Sequence, residues 1–234
     1  VSILEDHPRI HIETEVLLPF AVDNNSWKTM MSDITSARPE PKPGPHSGIE
    51  TANSKERFLA ELLDRLWEQY RSRVDYVRVY EEQVHAADAT FVNDHIAFRT
   101  LAGQNPLTGI SALSRIFIAL GYQAVTCYHF KDKHLDAIHF QHPNSEFPKM
   151  FISELRTWEL STSSREILAE LFSSQRKPIS LESLAALTQL DDLNETERQS
   201  LLELVLNEFH ERPWNAPAKD QIISLNGESQ YAAW

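Results

Sequence analysis

Cysteine and long apolar runs are both scarce in this sequence. The 234 residues include a single cysteine, Cys127, so no disulfide can form within the chain, which is usual for a reducing compartment. No apolar run approaches the roughly 18 residues that a membrane helix needs. The N-terminus also lacks the charged and then apolar order of a signal peptide. These absences predict no membrane association and a cytoplasmic location, with an organelle still open.

Basic runs are lacking as well. The chain has 22 Lys and Arg against 34 Asp and Glu, a net charge of −12, which disfavours binding to nucleic acid or to an anionic membrane. An anionic small molecule stays open as a substrate, because one well-placed arginine can bind a carboxylate. The sequence contains no G-x-S-x-G, P-loop or G-x-G-x-x-G motif, so hydrolase, nucleotide and dinucleotide functions have no support.

Proline and glycine divide the chain into three parts. Residues 1–36 are predicted to be an N-terminal extension with one strand in "IHIETEVLLPF". Residues 37–53 contain "ARPEPKPGPHSG", whose four prolines and two glycines favour an extended linker. Residues 54–234 are then the domain proper.

Hydrophobic periodicity predicts an α+β fold for that domain. Residues 55–87 have the spacing of two helices, 89–157 have a strand, a helix and then three strands, and 161–212 are helical. Asn194 with Glu197 three residues later forms a capping box before the last long helix. The tail, 213–234, has no clear pattern. The prediction is therefore a βαβββ module with helices on both sides in sequence.

The strand that contains "NDHIAFRT", residues 93–100, has an unusual polar face. Side chains alternate between the two faces of a strand. One face would show Val92, Asp94, Ile96, Phe98 and Thr100, and the other Phe91, Asn93, His95, Ala97 and Arg99. The small Ala97 leaves space between His95 and Arg99, whose Cα atoms are about 13 Å apart at roughly 3.3 Å per residue.

Two interpretations of His95 and Arg99 follow from the pattern. A neutral imidazole is a common metal ligand and arginine is the usual bidentate partner of a carboxylate, so the pair could hold a metal and a substrate. Alternatively, His95 is a hydrogen-bonded core histidine and Arg99 an ion-pair partner at the sheet edge. The residues alone leave both open.

Other polar residues give weaker signals. Glu154 shares a face with Met150 and Ile152 on the last strand, where it could line a substrate site or pair with a basic group. His139 and His142 are three apart, so an extended strand turns them to opposite faces and a shared metal is not expected. His129 and His134 flank a turn, where we expect them to be solvated. Cys127 has no neighbouring motif that marks a nucleophile.

Several motifs together resemble one enzyme family. "NDHIAFRT", "ALGY", "DKHLDAIHFQHP", "PKMFISEL" and the terminal "ESQYAAW" are similar, in this order, to the 2-oxoadipate dioxygenase/decarboxylase family, also called hydroxyglutarate synthase. The similarity covers about residues 55–234. It implies a vicinal-oxygen-chelate-like fold built from βαβββ modules.

The resemblance also implies a chemistry. Family members bind Fe(II) through two histidines and a carboxylate, which leaves positions open for substrate and O₂. His95 would be the first ligand, and Arg99 would belong to the substrate site. The implied reaction converts 2-oxoadipate, or a similar 2-oxo dicarboxylic acid, and O₂ into 2-hydroxyglutarate and CO₂, as in lysine catabolism.

The sequence departs from the family pattern at its end. The second histidine and the glutamate normally follow the "YAAW" segment, whereas this chain stops at Trp234. We therefore expect either a fragment of a longer enzyme or a non-catalytic binding or scaffold protein that keeps the fold without a complete iron site. A coding sequence that continues with a second His and a Glu would favour the enzyme. The sequence does not indicate an oligomeric state.

Overall fold

A mixed five-stranded sheet forms the centre of the fold. The computed structural model describes the backbone of residues 10–15 together with residues 44–103 and 107–234. The strands are β1 (Ile10–Glu15), β2 (Phe91–Leu101), β3 (Gln123–Phe130), β4 (Leu135–Gln141) and β5 (Lys149–Leu155), in the spatial order β1-β2-β5-β4-β3. β2 is parallel to β1 and β5, whereas β4 is antiparallel to both β5 and β3.

Eight α-helices accompany the sheet in the described residues. They are α1 (Ser54–Arg73), α2 (Asp75–Ala86), α3 (Ile110–Ala119), α4 (Thr162–Ser173), α5 (Leu181–Thr188), α6 (Glu195–His210), α7 (Lys219–Glu228) and α8 (Gln230–Ala233). The unit β2-α3-β3-β4-β5 is the predicted βαβββ module, and helices precede and follow it in sequence. The α+β fold class is therefore confirmed.

One face of the sheet lies on the main hydrophobic core. Ile96, Phe98, Met150 and Ile152 of β2 and β5 are buried there against apolar residues of α1, α3, α5 and α6. Phe98 contacts Phe117 of α3 and Phe209 of α6, with ring centroids 5.5 Å apart in both pairs. The removal of such apolar side chains from water is the main contribution to the stability of a domain.

The opposite face is covered at one end only. Leu101, Leu135 and Leu155, near the ends of three strands, are buried with Leu168 of α4 and Leu225 of α7. Partly buried residues of α8 pack against the same cluster, so the tail that the sequence left undefined forms this cover. The other end of this face keeps exposed and partly buried residues, and β3 is exposed along its whole length.

The N-terminal region contributes more to the domain than expected. β1 confirms the strand predicted in the extension, and it adds a fifth strand to the module. Residues 44–50 form turns, and His46 is only 2% exposed. Asp64 of α1 accepts a hydrogen bond from the backbone N–H of His46 at 2.9 Å and lies 2.9 Å from its Nδ1. An extended linker is thus wrong for this part, because the buried histidine attaches it to α1. Residues 37–43 of that linker lie outside the described residues.

In the part of the chain that the structure describes, no helix is both long and apolar enough to cross a lipid bilayer.

Candidate active site

A β-bulge in β2 decides which residues share a face with His95. His11 of β1 pairs with Val92 of β2, and Glu13 pairs with His95. Two residues of β1 therefore span the same distance as three residues of β2. The extra residue reverses the faces of β2 before the bulge. Phe91 accordingly packs on Trp67 of α1, with centroids 5.0 Å apart, and Asn93 is buried with its Nδ2 3.4 Å from Nε2 of His46.

The sequence-based face assignment is therefore right for one half of the strand and wrong for the other. His95, Ala97 and Arg99 share the partly open face as expected, and Ile96 and Phe98 face the core. Phe91 and Asn93 were expected beside His95 but lie on the helix-covered side. A bulge cannot be read from alternation, since it interrupts the period of two on which alternation depends.

His95 lies in a small polar cluster at the open end of this face. Its Nδ1 is 3.2 Å from a carboxylate oxygen of Asp94, whose other oxygen accepts a hydrogen bond from Nζ of Lys149 at 3.2 Å. The His95 side chain is 26% exposed. A carboxylate at Nδ1 fixes the ring and leaves Nε2 as the atom available for a metal, which is the usual arrangement behind a ligating histidine.

His139 of β4 faces the same side and was not selected from the sequence. His139 pairs with Phe151 of β5, and Phe151 pairs with Ala97 of β2. Paired residues lie on the same face of a sheet, so His139 shares the face of Ala97 and His95. Its Nε2 is buried and has no hydrogen-bond partner within the described residues. Burial lowers the pKa of His139, and the nearby charges of Lys149 and His95 lower it further. A neutral imidazole with a free nitrogen therefore lies in the site.

Arg99 lies where the covered and open parts of the face meet. Its guanidinium carbon is 3.9 Å from the ring centroid of Trp234 and 5.6 Å from that of Tyr231. Both rings come from α8 and the residue after it. The small Ala97 between Arg99 and His95 is present as predicted, so the structure brings His95, Ala97 and Arg99 to one surface.

Glu154 is not brought together with His95 and Arg99. It shares a face with Met150 and Ile152, as the sequence indicated, but that is the helix-covered face. Its carboxylate accepts a hydrogen bond from the backbone N–H of Ile110, the first residue of α3, at 2.8 Å. Burial raises the pKa of Glu154. The substrate-binding role predicted for Glu154 alongside Arg99 therefore needs correction, since the sheet separates the two side chains.

Gly109 shows why a carboxylate from the sheet caps α3. This residue precedes the helix at φ +74°, and a Cβ placed on it would lie 2.2 Å from a carboxylate oxygen of Glu154. Glycine has no side chain to accept the first N–H groups of the helix. Glu154 supplies that acceptor from β5 instead, at the positive end of the helix dipole.

The other histidines behave as the sequence suggested. His142 turns away from His139 and contacts the rings of Tyr122 and Phe147, with centroids 5.3 and 4.8 Å away. His129 and His134 have side chains that are 62% and 47% exposed, and each contacts a carboxylate.

The donor set for a metal is partial in the described residues. Within them, no three His, Cys, Asp or Glu side chains come together as a metal site. Of the two histidines on the open face, His95 has a carboxylate partner at Nδ1 and a partly exposed ring, as expected of a ligand. The described residues therefore offer one candidate metal ligand, His95, and not a complete metal site.

A separate cavity of about 90 Å³ lies on the helix-covered side of β2. Its lining includes Phe98, Arg99, Ile116, Phe209 and Trp214, together with the segment 175–177. Neither His95 nor His139 is among its lining residues. This cavity is thus distinct from the polar cluster around His95.

Comparison with known protein families gives one consistent result. The family model described as 2-oxoadipate dioxygenase/decarboxylase matches residues 59–234. The chain is 26% identical over 215 residues to the chloroplastic/amyloplastic 2-oxoadipate dioxygenase/decarboxylase of Oryza sativa subsp. japonica. The matched region covers 87% of this chain and 51% of the rice protein. It is 25% identical over 201 residues to the chloroplastic protein of the same name from Arabidopsis thaliana, with 80% and 47% covered. The chain spans about half the length of these relatives.

Solved structures show the same fold. A glyoxalase-superfamily protein from Ralstonia eutropha JMP134 superposes with a TM-score of 0.70 at 24% identity, covering 90% of this chain and 68% of the other. The hydroxyglutarate synthase of Oryza sativa, solved in complex with 2-oxoadipate, superposes with a TM-score of 0.55 at 24% identity, covering 85% and 59%. These likenesses show that the described part of the chain shares its fold with these proteins.

Proposed function

Because this chain belongs to the 2-oxoadipate dioxygenase/decarboxylase family, we propose that it forms part of the active site of a non-haem Fe(II) enzyme acting on a 2-oxo dicarboxylic acid. The reaction is 2-oxoadipate plus O₂ giving 2-hydroxyglutarate and CO₂, in which the carboxyl group next to the keto group leaves as CO₂. When bound, the iron supplies the redox chemistry that couples O₂ reduction to this loss. The side chains of this chain supply binding and orientation.

The observation that supports the proposal most is the shared face of His95 and Arg99. His95 offers Nε2 to the iron while Asp94 holds Nδ1. Arg99 offers a planar set of N–H donors that matches a carboxylate. The small Ala97 between them leaves room for a short molecule with a metal-chelating end and an anionic end, which is the form of a 2-oxo dicarboxylic acid.

His139 adds a neutral polar group to the same face. Its unpartnered Nε2 can donate or accept one hydrogen bond, depending on the tautomer. A buried polar atom without a partner costs free energy, which a bound substrate or water would recover. We assign His139 to the lining of the site, as a hydrogen-bonding group and not as a member of the expected ligand set.

The deciding experiment measures iron content and O₂ uptake on the intact protein. We expect about one iron per site, and one 2-hydroxyglutarate and one CO₂ for each O₂ consumed with 2-oxoadipate. If the iron-loaded protein binds 2-oxoadipate without O₂ uptake, the alternative of a non-catalytic binding protein is supported instead. Absence of both binding and uptake would remove 2-oxoadipate as the ligand.

A further inference from the structure

Arg99 is held by aromatic rings from a part of the chain more than 130 residues away. Its guanidinium carbon lies 3.9 Å from the centroid of Trp234 and 5.6 Å from that of Tyr231. Both distances are within the range of cation–π attraction, and the shorter one indicates close stacking. The guanidinium carbon therefore lies over the face of the Trp234 ring, at a distance typical of stacking, with Tyr231 farther away.

Tyr231 is itself fixed to the strands that carry the site. Its hydroxyl accepts a hydrogen bond from the backbone N–H of Thr100 at 3.2 Å and lies 2.9 Å from Oγ of Ser153. Thr100 follows Arg99 on β2, and Ser153 is the register partner of Arg99 on β5. Burial raises the pKa of Tyr231 to about 12, so the hydroxyl stays a neutral donor at ordinary pH. Tyr231 is thus attached to the residue that follows Arg99 on β2 and to the residue beside Arg99 on β5.

A stacked guanidinium keeps its binding edge. The five N–H donors of arginine lie in the guanidinium plane, whereas a ring packs against the face of that plane. Stacking therefore restricts the direction of the side chain without competing with a carboxylate for donors. Preorganisation of this kind reduces the conformational freedom lost on binding.

We propose that Tyr231 and Trp234 are positioning residues that aim Arg99 at the distal carboxylate of the substrate. Trp234 supplies the stacking face, and Tyr231 attaches the C-terminal helix to β2 and β5. The inference rests on the function proposed above, since it requires Arg99 to bind a carboxylate of a 2-oxo acid. It adds a selectivity role for Trp234 and for Tyr231, which also packs against the apolar cluster of Leu101, Leu135 and Leu155.

A pair of matched substitutions separates positioning from cover. Trp234→Leu and Trp234→Phe both keep an apolar side chain, but only Phe keeps an aromatic face. Trp234 is 41% exposed, so neither change is expected to unfold the protein. Trp158→Leu is the control, because Trp158 is 55% exposed and lies on a different turn.

The first readout is selectivity between 2-oxoadipate and 2-oxohexanoate, which has the same length but one carboxylate. Trp234→Leu should lower the ratio of their kcat/KM values by roughly 2- to 30-fold, mainly because 2-oxoadipate binds more weakly and its KM rises. Trp234→Phe should recover most of the ratio, and Trp158→Leu should keep the wild-type ratio. Equal ratios in wild type and Trp234→Leu, with Arg99→Lys lowering the ratio, would overturn the positioning role.

The second readout does not depend on turnover. In ¹⁵N-edited NMR, the Nε–H signal of Arg99, assigned by its loss in Arg99→Lys, should be shifted upfield by ring current in the wild type. In Trp234→Leu it should move towards the position of a free arginine. An unshifted wild-type signal would overturn the stack whatever the activity. A shifted signal in a protein that does not use 2-oxoadipate would keep the stack but refute the proposed substrate and the selectivity role with it.

Discussion

Glu154 gives the sharpest test of where the substrate site ends. Its carboxylate accepts the N–H of Ile110 at 2.8 Å on the side of the sheet away from Arg99. We expect Glu154→Gln to change kcat/KM for 2-oxoadipate by less than about 2-fold, because an effect on binding requires contact with the ligand or its partners. The same variant should change stability and its pH dependence, because the carboxylate is buried and accepts a backbone hydrogen bond.

The expected change in the free energy of unfolding comes from two opposing effects at Glu154. A hydrogen bond to a charged group contributes about 1.5–3 kcal/mol and a neutral one about 0.5–1.5 kcal/mol, so Gln keeps the bond but weakens it by about 1 kcal/mol. Burial costs the carboxylate more than this bond returns, since the pKa of Glu154 is raised despite it. Glu154→Gln should therefore equal or exceed the wild-type free energy of unfolding at pH 7, by at most about 1 kcal/mol. Glu154→Ala, which leaves the Ile110 N–H without its acceptor, should lose about 1–3 kcal/mol.

The sign of the pH effect is fixed by the direction of the pKa shift. A folded-state pKa above the unfolded value means that the contribution of Glu154 to stability is full below the unfolded pKa and is lost as pH rises through the folded one. The advantage of Glu154→Gln over the wild type should therefore grow between about pH 4 and pH 7. Urea unfolding at several pH values measures this, with kcat/KM on the same samples. A more than tenfold loss of kcat/KM in Glu154→Gln would refute our placement of Glu154 outside the site.

Three further changes test the rest of the molecule. His95→Ala in the intact protein should lose bound iron and turnover while its circular dichroism stays unchanged; normal iron content would contradict the ligand assignment. Arg99→Lys should keep iron but lose roughly 30-fold to several thousand-fold in kcat/KM for 2-oxoadipate, the equivalent of about 2–5 kcal/mol. The loss for 2-oxohexanoate should be much smaller. Equal losses for the two substrates would show that Arg99 does not bind the distal carboxylate. Arg156 is 3% exposed and donates to Glu159 and Asp136 at 2.7 and 2.8 Å, so Arg156→Met should lower the free energy of unfolding by about 2–4 kcal/mol, measured by urea titration. Hydrogen bonds from Arg156 and His134 hold the pKa of Glu159 at about 2, below its ordinary value of 4.5. The wild type should therefore lose stability as the pH falls from about 4.5 towards 2. Arg156→Met, which lacks one of these donors, should lose less stability over the same range.

Features set by neighbouring residues were predictable from the sequence. The capping box before α6 is present, with Asn194 accepting from the backbone N–H of Glu197 at 3.0 Å and Glu197 accepting from that of Asn194 at 2.8 Å. β3 coincides with the run "QAVTCYHF", and Gly121, just after α3, has the positive φ of +108° that favours glycine at a helix end. Each of these depends on a few consecutive residues, so alternation and capping rules are enough to locate them.

Features that depend on distant contacts were not predictable. The bulge that reverses the faces of Phe91 and Asn93 needs the register of β1, and the role of Glu154 needs its contact with the start of α3. His139 becomes a site residue only when β4 is paired with β5, because a single strand does not show which face is left open. The stack of Trp234 on Arg99 joins the tail to β2, and no local rule relates the two.

The order of groups along the open face argues for a direction in which the substrate would lie. His95, His139 and Lys149 lie at the uncovered end, where the side chains of His95 and Lys149 are 26% and 47% exposed. At the other end α7 and α8 cover the strands. Arg99 lies at the boundary of this cover, with its guanidinium against Trp234. A carboxylate that meets a cation beside apolar cover is less screened by water than one at the open end, so its contact is stronger and more selective. If Arg99 binds the distal carboxylate as we propose, the keto acid end lies towards His95 and the distal carboxylate lies at the covered end, beside Trp234.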